Sequence, residues 1–179
     1  MVVVTNNKFP NFLISINFDR HSMGKIRSVL FVCTGNSCRS IMAAGLMKDA
    51  LKRLGKEDIK VSSAGVSAVD GFHPTPETIE VMKKAGMDVS GMRSRRLTDE
   101  IIRGADLILV MAAHHRDDII SRVPEAASKT HILREYGKTP HAGVCESPDI
   151  FDPIGRPEEF YEYTRGEIKK EVIRIAQML

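Results

Sequence analysis

The chain has little of what a secreted, membrane-spanning or nucleic-acid-coating protein needs. Three cysteines in 179 residues make no disulfide framework and fit a reducing cytoplasm. Lysine and arginine (26) barely outnumber aspartate and glutamate (23); the net charge of +3 is too small, and the basic residues too scattered, to argue for nucleic acid. No stretch is long and apolar enough to span a bilayer. The first 23 residues have no continuous apolar core and no small-residue cleavage site, so they do not read as a secretory signal. Met23 offers an alternative start, and residues 1–24 are expected to form a poorly ordered extension before one domain over 25–179. Repeats and low-complexity linkers are missing as well. With 42% apolar residues, that domain is large enough to bury a proper core. No histidine–cysteine cluster has metal-ligand spacing, since His114 and His115 are adjacent and helical neighbours do not face one ligand. No metal and no other cofactor is expected, and the oligomeric state stays open.

What the chain does have is the stretch Val29-Leu30-Phe31-Val32-Cys33-Thr34-Gly35-Asn36-Ser37-Cys38-Arg39-Ser40. The apolar run reads as a buried strand ending at Cys33. Thr34, Gly35 and Asn36 tolerate tight and left-handed backbone. After Arg39 the pattern turns helical. Between strand and helix the chain can wrap into a concave loop whose N–H groups point inward at a helix N-terminus, a place that favours anions. Arg39 adds a planar fork for two oxyanion oxygens, and the same donors stabilise a thiolate at Cys33. A nucleophile then lies directly under a bound tetrahedral oxyanion.

The rest of the chain alternates strand and helix. Strands are expected at Ser28 to Cys33, Ile59 to Ser62, Ala105 to Met111 and Thr130 to Leu133. Helices are expected from Arg39 to Leu54 with an Ala43, Leu46, Ala50, Leu54 stripe, and from Thr75 as N-cap, with Pro76 at N1, to near Gly86. Others cover Leu97 to Arg103, His115 to Ile120, and a last one from near Pro157 with Tyr161, Thr164, Ile168, Val172, Ile175 and Leu179 on one face. Residues 134 to 156 are loop-rich. This order implies an α/β fold: an open parallel sheet of about four strands with helices on both faces and right-handed crossovers. Ligands bind beyond the carboxyl ends of such strands, which is where Cys33 falls.

Cys33-Thr34-Gly35-Asn36-Ser37-Cys38-Arg39-Ser40 closely resembles the signature of the low-molecular-weight protein tyrosine phosphatase superfamily, which also holds bacterial protein-arginine phosphatases and thioredoxin-coupled arsenate reductases. Ser63-Ala64-Gly65, Ala105 to Met111 and Asp152-Pro153 recur in the family's order, so the resemblance covers about residues 27 to 179. It implies a cytoplasmic protein phosphatase acting on phosphorylated protein through a phosphocysteine, with Thr34, Gly35, Asn36, Ser37, Cys38 and Ser40 around the bound phosphoryl group. A thiolate attacking phosphorus needs a general acid for its leaving group, best placed on a mobile loop. Asp152, in a loop punctuated by two prolines and a glycine, is the first candidate, and by resemblance the aspartate of this Asp-Pro pair is the family's acid. The bland alternative is a capping aspartate before the last helix, and Asp149 ranks second as acid. Asn36 is expected to hold the loop through side-chain-to-backbone bonds, and Ser40 to bond the Cys33 sulfur. Cys38 is either a redox partner that shields Cys33 by a reversible disulfide or a small buried residue.

Three substrates compete. The family's tyrosine phosphatases usually carry a bulky apolar residue at the position of Ser37 and aromatics just after Asp-Pro. Polar Ser37, and Ile154-Gly155 with no aromatic, depart from that pattern and match the arginine phosphatases' small hydroxyl residue and Asp-Pro-x-Gly loop. Arsenate reductases share the whole loop string but need two further cysteines; Ala112 to Thr130 contain none, and Cys145 stands alone. A non-catalytic phosphate-binding module would need neither thiolate nor acid. Arg93, Arg95 and Arg96 form a basic cluster, read first as a solvated face.

Overall fold

Four successive apolar residues, Val29 to Val32, leave no polar side to turn to water, so the strand they form must be covered on both faces. In the computed structural model, which describes residues 25–138 and 147–179, this strand is β1 (Ser28–Cys33), with Val29 to Cys33 all buried. It lies inside a four-stranded parallel sheet of order β2–β1–β3–β4, with β2 at Lys60–Gly65, β3 at Leu107–Val110 and β4 at Thr130–Ile132. The helices are α1 (Arg39–Arg53), α2 (Pro76–Lys84), α3 (Asp99–Gly104), α4 (Ala113–Arg122) and α5 (Glu158–Met178).

Because successive strand residues face opposite ways, β1 and β3 feed two separate cores. Val29, Phe31, Leu107 and Leu109 pack with α1, α2 and α5. Leu30, Val32, Ile108 and Val110 pack with Ile102 of α3 and Ile119 of α4. Each fully buried leucine, isoleucine or phenylalanine in these layers stabilises the fold by roughly 1.5–3 kcal/mol. The single α/β domain with helices on both faces is the one the alternation predicts. Among the described residues no helix is long and apolar enough to cross a membrane. The expected disorder of residues 1–24 and the lone Cys145 lie outside the described residues.

The chain leaves β1 for β2 on one side and returns to β3 on the other, so the strand order reverses between β1 and β3. That switch point opens a crevice beyond the strands' carboxyl ends. The Met111 N–H bonds Val32 O at 3.0 Å and Met111 O accepts from Ile150 N at 2.8 Å, which draws residues 147–156 across the crevice mouth.

Some boundaries differ from expectation. β2 runs on to Gly65, past the expected end at Ser62, because Phe31, Val32 and Cys33 pair with Ser63, Ala64 and Gly65 and the ladder overrides their weak strand propensity. The stripe on α1 is corrected at Leu54, which is 44% exposed beyond the helix end; Ile41, Met42, Met47 and Leu51 are buried in its place. A 3-10 turn over Pro124–Lys129 was not expected, and α4 is longer than expected at both ends. Thr75 caps α2 as expected, accepting from the Thr78 N–H.

Candidate active site

Cys33 is the last residue of β1, and the helix that follows begins without a side-chain cap: Cys38, at the cap position, makes no capping hydrogen bond, and the first turn of α1 holds no acidic residue. The orphan N–H groups and positive end of the helix dipole are therefore left for an anion. Three of the loop's carbonyls are tied to neighbouring segments. Cys33 O accepts from Val66 N (3.0 Å), Thr34 O from Ser67 N (2.9 Å) and Ser37 O from Thr75 N (3.1 Å). No amide from Gly35 to Arg39 donates to another described residue. With those carbonyls tied away and the amides left without an acceptor, the loop has the form of an anion-binding nest.

Asn36 fixes the curvature. Its φ of 51° places it in the left-handed region, which asparagine tolerates better than most residues. Its buried amide donates to Ser40 Oγ (2.8 Å) and Ser63 Oγ (2.9 Å), while its oxygen accepts from the Arg95 N–H (2.8 Å). Only the last is the side-chain-to-backbone bond expected of it; the other two reach side chains. Gly65 closes in from β2. A Cβ there would stand 2.6 Å from Thr34 O and 2.8 Å from Asn36 N, so only glycine lets the strand press against the loop. The backbone of the arginine cluster thus braces the loop, while Arg93, Arg95 and Arg96 themselves are exposed.

At the floor, Cys33 Sγ is 3.0 Å from Ser40 Oγ. The Arg39 guanidinium is 4% exposed; Nη1 donates to Ile150 O (3.2 Å) and Nη2 to Thr34 Oγ1 (3.4 Å) and to the Asp152 carboxylate, while Nε is buried without a partner among the described residues. Asp152 arrives on the loop anchored by buried Ile150, and its ion pair with Arg39 closes one side of a cleft of about 490 Å³. The expected residues Cys33, Thr34, Gly35, Asn36, Ser37, Cys38, Arg39, Ser40 and Asp152 thus lie together around one crevice. Asp149 lines the same cleft, but its carboxylate is engaged by the Ala113 N–H at 2.8 Å at the start of α4.

Cys38 is a free thiol, 3% exposed, with Sγ 4.0 Å from Asp152 Oδ1. Burial first, then the charges of Cys33 and Asp152, push its pKa up to about 12. Ser37 is half-buried, and its hydroxyl bonds no described residue. Among the described residues no three histidine, cysteine or carboxylate side chains gather as a metal ion would need.

Two features escape a reading of the sequence. The cleft is lined by Phe151, 41% exposed, and by Tyr163, 58% exposed. No aromatic follows Pro153, as expected, but the cleft still has an aromatic wall: one ring precedes Asp152 and the other comes from α5. Secondly, buried His115 reaches Thr34, with Nε2 3.0 Å from Oγ1. Its neighbour His114 stays exposed and lines the cleft.

A phosphate-sized anion cradle over a cysteine at the end of β1 defines a class of protein, and the comparisons agree. The family described as low molecular weight phosphotyrosine protein phosphatase matches residues 28–179, and the chain belongs to it. It is thus a cysteine-based protein phosphatase, a hydrolase. A protein-arginine-phosphatase of Geobacillus stearothermophilus is 38% identical over 151 residues, covering 84% of this chain and 95% of the relative. A probable low molecular weight protein-tyrosine-phosphatase, EpsP, of Ralstonia solanacearum is 36% identical over 147 residues, 82% of this chain and 92% of the relative. Among solved structures, the YwlE arginine phosphatase with a phosphorylated active-site serine in place of cysteine superimposes with a TM-score of 0.77 at 32% identity, covering 85% of this chain and 95% of that one.

Proposed function

We propose that this phosphatase removes phosphate from arginine side chains of proteins, with Cys33 as nucleophile, Arg39 and the loop amides as oxyanion holders, and Asp152 as general acid and base. The observation that carries the chemistry is the gathering, beside one buried thiol, of loop amides, an uncapped helix start and a buried Arg39 Nε, all without a hydrogen-bond partner among the described residues. Unpaired buried donors of this kind are costly unless a ligand takes them up.

The Cys33 thiolate attacks phosphorus and the P–N bond breaks, the departing guanidine nitrogen taking a proton from Asp152. The Asp152 carboxylate then takes a proton from water, whose oxygen attacks the phosphocysteine and releases inorganic phosphate and the Cys33 thiolate. Throughout, charge spreads over the three non-bridging oxygens, where the amides and the Arg39 fork face it. Ser40, 3.0 Å from the sulfur, donates to the thiolate as it leaves.

Choice of substrate rests on Ser37. Its hydroxyl is unused by the described residues and suits a polar guanidinium, whereas a branched apolar residue there would leave that group unpaired. The wall of Phe151 and Tyr163 supports a second reading, as a tyrosine phosphatase, because a phenyl ring packs on aromatic faces. A guanidinium stacks on the same faces, so the wall alone does not decide.

Turnover of phosphoarginine peptide, phosphotyrosine peptide and arsenate with thioredoxin, measured side by side, separates the readings. Phosphoarginine is expected to win, and Ser37→Ile to shift the ratio of kcat/KM toward phosphotyrosine by about tenfold to a few hundredfold. A wild-type preference for phosphotyrosine that Ser37→Ile leaves unchanged makes the protein a tyrosine phosphatase.

A further inference from the structure

Behind Thr34 sits a histidine that the reaction as described does not use. His115, in the first turn of α4, is completely buried, and its Nε2 lies 3.0 Å from Thr34 Oγ1. The same hydroxyl accepts from Arg39 Nη2 at 3.4 Å. Burial, then the neighbouring His114 ring and Arg39, hold the imidazole's pKa down to about 3, so at working pH it is neutral, with one N–H and one bare nitrogen.

Which nitrogen carries the proton follows from the partners. Nδ1 is buried and meets no hydrogen-bonding atom among the described residues. An N–H there would be an orphaned buried donor, the rarer and costlier defect. This accounting places the proton on Nε2, which donates to Thr34 Oγ1. The hydroxyl then accepts twice, from His115 and from Arg39, and both its lone pairs are used. Its own hydrogen can only point elsewhere. Thr34 is exposed and lines the cleft with Arg39 and Asp152, so the free direction is toward the substrate.

We propose that His115 is a positioning residue for the phosphatase reaction: by donating to Thr34 it turns that hydroxyl into a fixed donor toward a phosphoryl oxygen and an acceptor that holds the Arg39 fork in line. The inference rests on the reading of the Cys33–Arg39 cradle as the phosphoryl site. His115 does not touch the reacting atoms; its effect passes through Thr34.

The test compares wild type, His115→Leu, His115→Asn, His115→Gln, Thr34→Val and the double variant His115→Leu/Thr34→Val, each normalised to folded protein by circular dichroism. Glutamine's amide nitrogen reaches about as far as Nε2 and donates; asparagine is polar but too short. The Leu, Asn and Val variants should each lose about tenfold in kcat for an aryl phosphate with KM little changed, and weaken orthovanadate inhibition in parallel. Gln should recover to within about threefold of wild type, and the double variant should be no worse than Thr34→Val alone. Losses that multiply in the double variant, a Gln variant as slow as Asn, or unchanged kcat in Asn and Leu would overturn the inference. A wild type that neither hydrolyses the aryl phosphate nor binds orthovanadate overturns the phosphatase reading itself, a separate result.

Discussion

Cys33, Asn36, Arg39 and Ser40 are at most 4% exposed, and the loop that carries them is held from three directions, by β2 through Gly65 and Ser63, by the Arg95 backbone and by α4 through the His115–Thr34 bond. Across the cleft, residues 151–156 are held mainly through buried Ile150 and Pro153, with Asp152 and Ile154 in contact with solvent. The contrast matches the two tasks proposed for these regions. An oxyanion cradle stabilises a transition state only if its donors are fixed before the charge develops, so it is embedded in the sheet and helix ends. An acid that must first give a proton to a leaving group and then take one from water needs access to both, and belongs on a less embedded loop. The Arg39–Asp152 ion pair is where the two meet.

The comparison breaks most sharply at the cradle. Cys33→Ser should lower turnover of every phosphorylated substrate by more than about four orders of magnitude while inorganic phosphate still binds, because the amides and Arg39 remain. Arg39→Lys should lose about a hundredfold to a thousandfold, since a point charge replaces neither the fork nor its bonds to Ile150 and Thr34. Steady-state kinetics with phosphate as competitive inhibitor checks both; near-native turnover in the serine variant would remove Cys33 from the mechanism.

On the loop side the effect should depend on the substrate. Asp152→Asn should cost about two to four orders of magnitude with a poor leaving group and much less with a nitrophenyl ester, which departs unprotonated. Because the variant also frees Arg39 from its ion pair, inhibition by phosphate should not weaken. Equal losses for both substrates would mean that Asp152 only positions the loop.

The sheet, the strand-to-helix loop from Cys33 to Ser40 and the Thr75 cap are legible in the chain because each is written in neighbouring residues: an apolar run, a turn, a capping hydroxyl. What stayed hidden is tertiary. Nothing near Asn36 in sequence announces that Ser63 and Arg95 will bond it, or that Gly65 must be glycine to let β2 close in. His114 and His115 look alike in the chain, and only the helix's orientation buries one against Thr34 and leaves the other in the cleft. Phe151 was visible, but its place on the cleft wall depends on Ile150 being pinned to Met111.

The smallest expected effect lies at the seam, in Cys38. Peroxide should convert Cys33 to a sulfenic acid, and attack by the Cys38 thiolate then forms the disulfide and expels hydroxide. Burial first, then the charges of Cys33 and Asp152, push the Cys38 pKa up to about 12. Oxidation of Cys33 to a neutral sulfenic acid removes one of those charges, but burial and Asp152 still keep the attacking thiolate a small minority at neutral pH. Thiolate grows about tenfold per pH unit while the pH stays well below a raised pKa, so the disulfide-forming step should quicken by about tenfold from pH 7 to 8. Asp152 is among the groups that raise this pKa, so Asp152→Asn should speed the step a few-fold at fixed pH, whereas a variant elsewhere on the loop such as Ile154→Ala should not. Mass spectrometry of thiol-blocked samples, quenched at intervals after a peroxide pulse, follows the step directly. A rate that levels off below pH 8, or that Asp152→Asn leaves unchanged, would show that Cys38 is not held protonated by its burial against the loop.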